Sequence, residues 1–401
     1  MASPSASLEP KPIEDVWERI RSLPERFRRD AAATLSAEYE LRVAEEPYTV
    51  TIVDGACYVR RGPSLAAEAR IRADAETWFA IDDGELTGAD AFLGGRLSAR
   101  GNLDLAVRLQ TLFEPNARAR RPSDLEQVDV RVNGISLSSY VFGQGPPVYL
   151  LHGLGGTKVS WMPMLESLGK TRTVIAPDFP GHGESDKPKA EYSAWYYADI
   201  VRKLMDALGS GPGVMIGNSM GGRVALEMAM RYPKRVTGLA TLGAAVPGIR
   251  WRYLLGITRI APTEIARLPF PLRERWMQYS IRRLFARPDR LPEVAFLAGA
   301  DEFIRVYRSP RARVAFWASL QQVVLERPEE FWPRLRRIKV PALILHGDHD
   351  RLVPLRLANR LAEAMPDADF RVLPDVGHVP QFEAPLTTRT AVLEFLDTIP
   401  A

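Results

Sequence analysis

The chain has 401 residues, which is too long for one ordinary hydrophobic core, so its length predicts two domains. Hydrophobic residues make up 46% and charged residues 25% of the sequence, a balance that excludes a wholly disordered chain and is typical of a folded soluble protein. The net charge is only +4, with arginines scattered among acidic residues, which argues against a dedicated nucleic-acid-binding protein.

The beginning of the chain and its cysteine content indicate where the protein works. Residues 1–12 are rich in Ser, Pro and Lys, which predicts disorder, and no apolar core of the signal-peptide type follows. No stretch approaches the roughly 20 apolar residues that a membrane span requires. The single cysteine, Cys57, excludes an intramolecular disulfide and is expected to be a small buried residue rather than a reactive thiol. Together these features favour a cytoplasmic protein.

The first part of the chain predicts a small α+β unit with a mostly antiparallel sheet. Apolar residues at helical spacing begin near Asp15, and a second helical stretch is predicted at 31–35. The stretch 48–62, YTVTIVDGACYVRRG, is typical of a β-hairpin that turns at Asp54-Gly55. Two strands with one solvent-facing side and two helices are also predicted, at 68–74, 96–102, 74–81 and 103–113.

A domain linker is predicted at 116–127, in a polar, charged and proline-bearing stretch. Beyond it, after a hairpin that turns at Asn133-Gly134, short uninterrupted apolar runs alternate with helical segments. Such runs predict strands buried on both faces, and therefore an α/β fold with a mostly parallel sheet covered by helices. The runs are VYLL (148–151), TVIA (173–176), GVMI (213–216), VTGLATL (236–242), ALIL (342–345) and FRVL (370–373).

Residues from about 247 to 335 interrupt this alternation with a helical, arginine-rich segment. A helical insertion between two strands of a parallel sheet predicts a lid over the strand ends, where ligands bind in such sheets. Its arginines are expected to form a solvated face, and most of its aromatic residues are expected to be core. Those aromatic residues are Trp251, Tyr253, Trp276, Tyr279, Phe285, Phe296, Phe303, Phe316 and Trp317.

The motif GNSMGG, residues 217–222, follows the apolar run GVMI and precedes a helix-like stretch. Gly217 and Gly221 permit a tight strand-to-helix turn, because a side chain at either position would collide with neighbouring backbone. Such a turn exposes the hydroxyl of Ser219 and places the backbone N–H of Met220 beside it. Ser219 is therefore the candidate nucleophile.

A nucleophilic serine needs a base, and the base needs an orienting carboxylate. His378 follows the FRVL run in a turn preceded by Gly377, so it is the candidate base. Asp348 and Asp350 both lie in the turn after the ALIL run, one βα unit earlier, and either could orient it.

The other histidines are expected to have structural roles. His152 and His182 lie in turns, where structural hydrogen bonds are the simpler interpretation. His346 and His349 lie near Asp348, but no third ligand has the spacing of a metal site, so no metal is expected.

Residues from about 128 to 401 resemble the α/β-hydrolase family. The stretch HGLGG (152–156) is similar to the oxyanion loop of that family, and DFPGHGESDKP (178–188) is similar to its D-x-x-G-x-G-x-S turn. The order of the candidate serine, aspartate and histidine also matches the family.

The resemblance implies a catalytic triad and an oxyanion hole. It assigns the acid to Asp350, because the family's acid directly precedes R-x-V-P, and it assigns the oxyanion hole to the N–H groups of Leu154 and Met220. It implies a serine hydrolase that uses no cofactor and acts through an acyl-enzyme. The serine excludes the dehalogenase and epoxide-hydrolase branches, which carry aspartate at that position.

The resemblance favours a lipase or carboxylesterase, but it leaves alternatives. The motif GNSMGG also resembles the carbon–carbon bond hydrolases of aromatic-ring breakdown. Those enzymes typically have Trp directly after the catalytic histidine, where this chain has Val379. A carbon–carbon hydrolase, a perhydrolase-like activity and a non-catalytic lipid carrier or sensor stay open.

Residues from about 13 to 115 resemble the sterol carrier protein 2 family of lipid-binding domains, in the order hairpin, strand, helix, strand and closing helix. The resemblance implies an apolar tunnel that binds a lipid or lipid ester, although ordinary core is the simpler interpretation of each single lining residue. A peripheral membrane contact of the arginine-rich lid also stays open. The candidate lining residues are Val50, Ile52, Trp78, Phe79, Phe92, Leu97, Leu105 and Leu109.

Overall fold

The chain divides after residue 122 into two compact units. The predicted disorder of residues 1–12 and most of the predicted linker lie outside the residues that the structure describes. The last two linker residues belong to a strand that begins at Glu126, so the predicted linker extends too far. The computed structural model describes residues 13–32, 35–116, 125–248, 261–268 and 273–399.

The first unit contains a five-stranded sheet of order β3-β2-β1-β4-β5. β1 and β4 run parallel and the other neighbouring strands are antiparallel, so the prediction of a mostly antiparallel sheet is confirmed. The strands are β1 (Ala37–Val43), β2 (Glu46–Val53), β3 (Ala56–Arg61), β4 (Ala69–Ala73) and β5 (Leu97–Gly101). The described helices are α1 (Ile13–Arg21), α2 (Ala75–Asp82), α3 (Gly88–Leu93) and α4 (Leu103–Leu109), with short 3-10 turns at Leu23–Arg26 and Gln110–Leu112.

The hairpin predicted at 48–62 is confirmed, and its turn residues Asp54 and Gly55 both have positive φ, at 51° and 69°. In the helical stretch predicted at 31–35, Ala31 and Ala32 form a turn instead, and residues 33 and 34 lie outside the described part of the chain. β1 was not predicted, since its acidic residues resemble a solvated surface. Glu40 is buried there because its carboxylate accepts the N–H of Ser64.

All eight candidate lipid-lining residues are buried in this first unit, each with at most 9% of its surface exposed. Burial is equally expected of core residues, so the tunnel stays a prediction. The indole N–H of Trp78 finds no hydrogen-bond partner among the described residues. Cys57 is buried as expected, and burial raises the pKa of its thiol to about 12, so it carries no reactive thiolate.

The second unit contains an eight-stranded sheet of order β13-β12-β11-β10-β8-β9-β7-β6. β8 to β13 are parallel, and β6 and β7 add an antiparallel hairpin at one edge. The strands are β6 (Glu126–Val132), β7 (Ile135–Phe142), β8 (Pro147–Leu151), β9 (Thr173–Pro177), β10 (Gly213–Asn218), β11 (Val236–Leu242), β12 (Ala342–Gly347) and β13 (Asp369–Leu373).

Helices cover this sheet, and a further group of helices is inserted between β11 and β12. Helices that follow strands are α5 (Met162–Gly169), α6 (Ala194–Ala207), α7 (Met220–Arg231), α12 (Leu355–Ala364), α13 (Pro380–Glu383) and α14 (Pro385–Asp397). The inserted helices are α8 (Glu274–Arg282), α9 (Glu293–Tyr307), α10 (Pro310–Leu325) and α11 (Pro328–Phe331). Among the described helices, none is long and apolar enough to cross a membrane.

Burial on both faces is confirmed for β10 and β12, whose residues are all buried. It is wrong for β13, where Val372 is exposed, because β13 is the edge strand of the sheet. The uninterrupted apolar run FRVL therefore predicted the strand correctly but not its environment.

The helical insertion corresponds to the predicted lid, and its described residues, 261–268 and 273–337, are called the cap below. Trp251 and Tyr253 lie outside the described residues. The expectation of core aromatic residues is confirmed for Phe285 and Phe296 and wrong for two others, Trp276 and Tyr279, which are exposed.

Candidate active site

Ser219 lies in the tight turn between β10 and α7, with a φ of 53° and a ψ of −115°. This positive φ is a sparsely populated conformation for a non-glycine residue, and such strain is concentrated at functional sites. Every other residue from 213 to 230 is buried, whereas Ser219 is partly exposed. The serine N–H donates to the carbonyl of Leu242 at 2.9 Å, and its carbonyl accepts the N–H of Ala245 at 3.0 Å. These bonds fix the turn against the end of β11.

Gly217 and Gly221 are required by close backbone packing, as the sequence indicates. A Cβ on Gly217 would overlap the backbone of Gly221, and a Cβ on Gly221 would overlap the carbonyl of Leu151. The turn therefore tolerates no side chain at either position, which explains why the serine is presented so sharply.

His378 and Asp350 form a buried hydrogen-bonded pair, with 2.7 Å between His378 Nδ1 and Asp350 Oδ2. The other carboxylate oxygen of Asp350 accepts the N–H groups of Leu352 at 2.8 Å and Val353 at 2.9 Å. Burial pushes the pKa of Asp350 upward. The nearby His378, through its charge and its hydrogen bond, and the N–H of Val353 outweigh this effect and hold the pKa below its ordinary value. Asp350 is thus a fixed carboxylate that orients His378.

Asp348, the competing carboxylate in the same turn, lies apart from this pair. Its Oδ1 is 2.7 Å from Nδ1 of the exposed His349 and also accepts the N–H of Val376. The geometry therefore favours Asp350 over Asp348 as the partner of His378.

The residues around the serine turn lie close to the histidine. Asn218, the residue before the serine, donates from Nδ2 to the carbonyl of His378 at 3.1 Å. A Cβ on Gly243, just after β11, would lie 3.2 Å from Asp350 Oδ2 and 3.4 Å from His378 Nδ1. The end of β11 thus contacts both the serine turn and the buried pair, so all three candidate residues lie at the same edge of the sheet.

The loop after β8 runs alongside the serine. A Cβ on Gly153 would lie only 3.2 Å from the Cβ of Ser219. Leu154, partly buried, follows in this loop, and Met220 is the first residue of α7. The first N–H groups of a helix have no partner within it, so the Met220 N–H is available to an anion. The oxyanion hole of Leu154 and Met220 stays a prediction, and the loop that carries Leu154 lies beside the serine turn.

A buried ion pair stabilises the loop that follows β8. Lys158 and Asp178 are almost fully buried, with 3.0 Å between Nζ and Oδ2. Asp178 also accepts the N–H groups of Lys158 and Glu184, at 2.6 Å and 2.9 Å. His152 accepts the N–H of Phe179 at 3.0 Å, so it has the structural role expected from its position in a turn. Burial lowers the pKa of His152 and keeps its ring neutral.

Aromatic residues of the cap lie over the same loop. Phe303, Tyr307 and Phe316 pack as a cluster with ring centroids 4.4 to 5.7 Å apart. A Cβ on Gly155 would lie 3.2 Å from the Phe303 ring and 3.3 Å from the Phe316 ring. The wall of the site beside the candidate oxyanion loop is therefore apolar.

Glu383 is a buried residue of this site that the sequence reasoning missed. Its two oxygens accept the N–H of Gly377 and the N–H of Arg287, both at 2.6 Å. The N–H of His378 itself donates to the carbonyl of Leu284 at 2.6 Å. The histidine loop is thus tied to cap residues 284–287, and the only sequence signal was an acid five residues after the candidate base.

The remaining histidines make structural contacts. His182 lies between the hydroxyls of Tyr307 and Tyr197, at 2.7 Å and 3.1 Å, and burial lowers its pKa well below the ordinary value. His346 lies 2.8 Å from the carbonyl of Val353. In the described part of the chain, no group of three or more His, Cys, Asp or Glu side chains could hold a metal ion.

Comparisons with known proteins agree with this fold. The family model for the alpha/beta hydrolase fold matches residues 146–385, and that of the SCP-2 sterol transfer family matches residues 18–114. The 2-hydroxy-6-oxo-6-phenylhexa-2,4-dienoate hydrolase of Burkholderia cepacia is 31% identical over 265 residues, covering 63% of this chain and 88% of that protein. Lipase 1 of Psychrobacter immobilis is 29% identical over 244 residues, covering 60% of this chain and 73% of the lipase.

A solved structure gives the same result. The crystal structure of a membrane phospholipase A, a bacterial virulence factor, matches with a TM-score of 0.58 at 26% identity, covering 68% of this chain and 86% of the phospholipase. The hydrolase family model spans more than half of the chain. The chain therefore belongs to the α/β hydrolase fold family, and it carries a domain of the SCP-2 sterol transfer family at residues 18–114.

Proposed function

We propose that the protein is a serine hydrolase that cleaves carboxylic esters of lipid-like or long-chain compounds. The observation that carries the proposal is the bond between His378 Nδ1 and Asp350 Oδ2, beside a strained and accessible Ser219. Because Nδ1 is engaged by the carboxylate, Nε2 is the nitrogen that can take the serine proton.

The reaction follows from these roles. The Ser219 hydroxyl gives its proton to Nε2 of His378 as its oxygen bonds to the ester carbonyl carbon, and Asp350 stabilises the resulting imidazolium. The N–H groups of Leu154 and Met220 bind the oxyanion, and each such donor typically contributes about 3–4 kcal/mol to the transition state. His378 then returns the proton to the departing alcohol. Water, deprotonated by the same nitrogen, hydrolyses the acyl-enzyme and restores the serine.

A lipid-like substrate is supported by the apolar surroundings of the site and by the first domain. The cluster of Phe303, Tyr307 and Phe316 forms an apolar surface beside the candidate oxyanion loop. Membership of the SCP-2 sterol transfer family supports lipid binding by the first domain. The similar proteins include a lipase and a phospholipase, two classes of enzyme that act on lipids with long acyl chains.

The first domain would raise the supply of poorly soluble substrate. Sheltering each methylene from water is worth about 0.8 kcal/mol, so a long acyl chain spends little time free in solution. A carrier joined to the hydrolase by the short linker predicted at 116–127 would hold its lipid at a high effective concentration. The benefit should therefore grow with the length of the acyl chain.

We expect deletion of residues 1–122 to raise KM for long-chain esters while leaving short-chain esters unaffected. The division into compact units ends at this residue, so the second unit keeps its complete eight-stranded sheet. The measurement is kcat/KM for a series of p-nitrophenyl esters with increasing acyl length, on the full-length and the shortened chain. The ratio of the two proteins should change steadily with chain length.

The short-chain esters are the internal control, because they report whether the shortened protein is intact. If kcat/KM for long and short esters is equally unchanged by the deletion, the first domain does not deliver substrate. An equal loss for all esters would instead indicate damage to the hydrolase domain, and a point variant of the first domain, Trp78→Arg, would then be compared with the full chain.

Glu383→Gln is expected to slow the reaction by displacing the histidine loop. The carboxylate accepts two backbone N–H groups, from Gly377 and Arg287, and an amide can accept only one of them. The unpaired N–H costs about 1–3 kcal/mol. Because a displacement of about 1 Å can cost 100-fold in rate, we expect kcat to fall about 10- to 100-fold.

Glu363→Gln is the matched control for this variant, since Glu363 is an exposed acid on α12. It should leave both kcat and the melting temperature unchanged. A Glu383→Gln protein with normal kcat and a normal melting temperature would contradict the role of Glu383 in positioning His378.

A carbon–carbon hydrolase is the second candidate, and it is favoured by the 31% identity to the dienoate hydrolase of Burkholderia cepacia. Against it stands Val379 after the candidate histidine, where the ring-cleavage enzymes typically have Trp. The two candidates are distinguished by comparing turnover of a 2-hydroxy-6-oxo-dienoate, monitored as the loss of its visible absorbance, with turnover of the ester series. Faster turnover of the dienoate would favour the carbon–carbon hydrolase.

A further inference from the structure

The exposed face of α8 in the cap carries two large aromatic side chains. Trp276 is 57% and Tyr279 is 61% exposed, and they lie three residues apart on one side of the helix. Other aromatic residues of the cap, such as Phe285 and Phe296, are buried. Two such rings on one helix face are unlike the scattered exposed apolar residues of ordinary surfaces.

The same face is positively charged. Arg273, Arg275 and Arg283 are all exposed on it. The guanidinium of Arg273 lies 5.8 Å from the centre of the Trp276 ring, and that of Arg283 lies 5.7 Å from the Tyr279 ring. No carboxylate of a described residue pairs with these three arginines. The face therefore combines amphipathic rings with uncompensated positive charge.

Two residues at the end of α8, Ile281 and Arg282, attach the helix to the rest of the cap. Arg282 forms an ion pair with Glu293, and its guanidinium lies 4.3 Å from the centre of the Phe296 ring. Ile281 packs against Gly299 of α9, and a Cβ added to Gly299 would lie 3.4 Å from the Ile281 side chain. Because the helix is fixed in this way, its exposed face is held toward solvent as a rigid patch.

We propose that this patch, formed by Arg273, Arg275, Trp276, Tyr279 and Arg283, docks the protein on an anionic phospholipid surface. Trp and Tyr bury an apolar ring while keeping a polar group in water, which suits the boundary between headgroups and acyl chains. Arginines near such a surface gain about 1 kcal/mol each from anionic headgroups. A helix with aromatic and basic residues on one face lies in the plane of the interface.

Docking at α8 has a consequence for the active site. The helix ends at Arg282, and two residues later the carbonyl of Leu284 accepts the N–H of His378. The backbone of residues 284–286 also fills the space next to Gly377, where no Cβ would fit. The docking helix is thus connected to the histidine loop by only two residues and a backbone hydrogen bond. A lipid surface bound at α8 would therefore lie close to the candidate active site.

The test uses the full-length chain with Ser219→Ala, so that binding is measured whether or not the protein is a hydrolase. Flotation with vesicles of phosphatidylcholine alone is compared with vesicles of equal parts phosphatidylcholine and phosphatidylglycerol. We expect partition into the anionic vesicles only. Replacing Trp276 and Tyr279 together by Ala should weaken it at least about 10-fold, and replacing the three arginines by Gln should weaken it about 100-fold.

Trp195→Ala is the matched control, because Trp195 is 46% exposed and has Arg231 5.5 Å from its ring centre, as in the proposed patch. It should bind vesicles normally. Equal binding by the α8 variants, or equal binding to uncharged vesicles, would overturn the proposal. A chain that is dimeric by light scattering, and monomeric after Trp276→Ala, would show instead that the face pairs with a second copy. Unchanged melting temperatures verify that these surface variants are folded.

Discussion

Ser219→Ala is expected to lower kcat for ester hydrolysis by on the order of 10⁴-fold or more while leaving the fold intact. The serine oxygen forms the acyl bond in the proposed reaction, and nothing else in the turn can replace it. Alanine keeps the same backbone conformation with its φ of 53°, and the bonds to Leu242 and Ala245 involve only backbone atoms. The melting temperature should therefore stay close to that of the native chain.

A fluorophosphonate probe tests the same assignment directly. It should label the native chain at Ser219 and leave the Ser219→Ala chain unlabelled. Ser219→Gly should also be inactive but more stable, because glycine relieves a backbone strain worth about 1–3 kcal/mol. Esterase activity that survives in Ser219→Ala would disprove the assignment. A native chain that the probe does not label would support a non-catalytic lipid carrier.

The sequence predicts the strands of the hydrolase sheet well, because buried parallel strands are uninterrupted apolar runs. GVMI and ALIL each became a fully buried strand, and the glycines of GNSMGG were required for the reason deduced from the motif. β1 escaped prediction because Glu40 is buried by a bond to Ser64, which lies far along the chain. Such partners follow from the tertiary fold and leave no local pattern.

The cap shows a second limit. Its aromatic residues have similar sequence surroundings, yet Phe296 is buried under Arg282 whereas Trp276 is open to solvent. The difference depends on which side of α8 meets α9, and the tertiary fold sets this contact. Glu383 was missed for a related reason, since its partners are backbone N–H groups that any residue could supply.

Asp350→Asn is expected to lower kcat on the order of 10⁴-fold with little change in KM. The amide oxygen can still accept the N–H groups of Leu352 and Val353, as Oδ1 does now, which turns the NH₂ group toward His378. Nδ1 of His378 must then accept rather than donate, so the ring proton moves to Nε2. A protonated Nε2 cannot take the proton of Ser219, and the base is lost although every atom keeps its place.

Asp348→Asn is the matched control, since it removes a carboxylate charge two residues away in the same turn. Asp348 contacts the exposed His349 and not His378, so kcat should change by less than about threefold. Equal losses in the two variants would mean that charge in the turn matters rather than the orientation of His378.

Because its pKa lies below the ordinary 3.8, Asp350 stays ionised throughout the neutral and mildly acidic range. Any acid limb of the native pH–rate profile within that range must then come from a group other than Asp350.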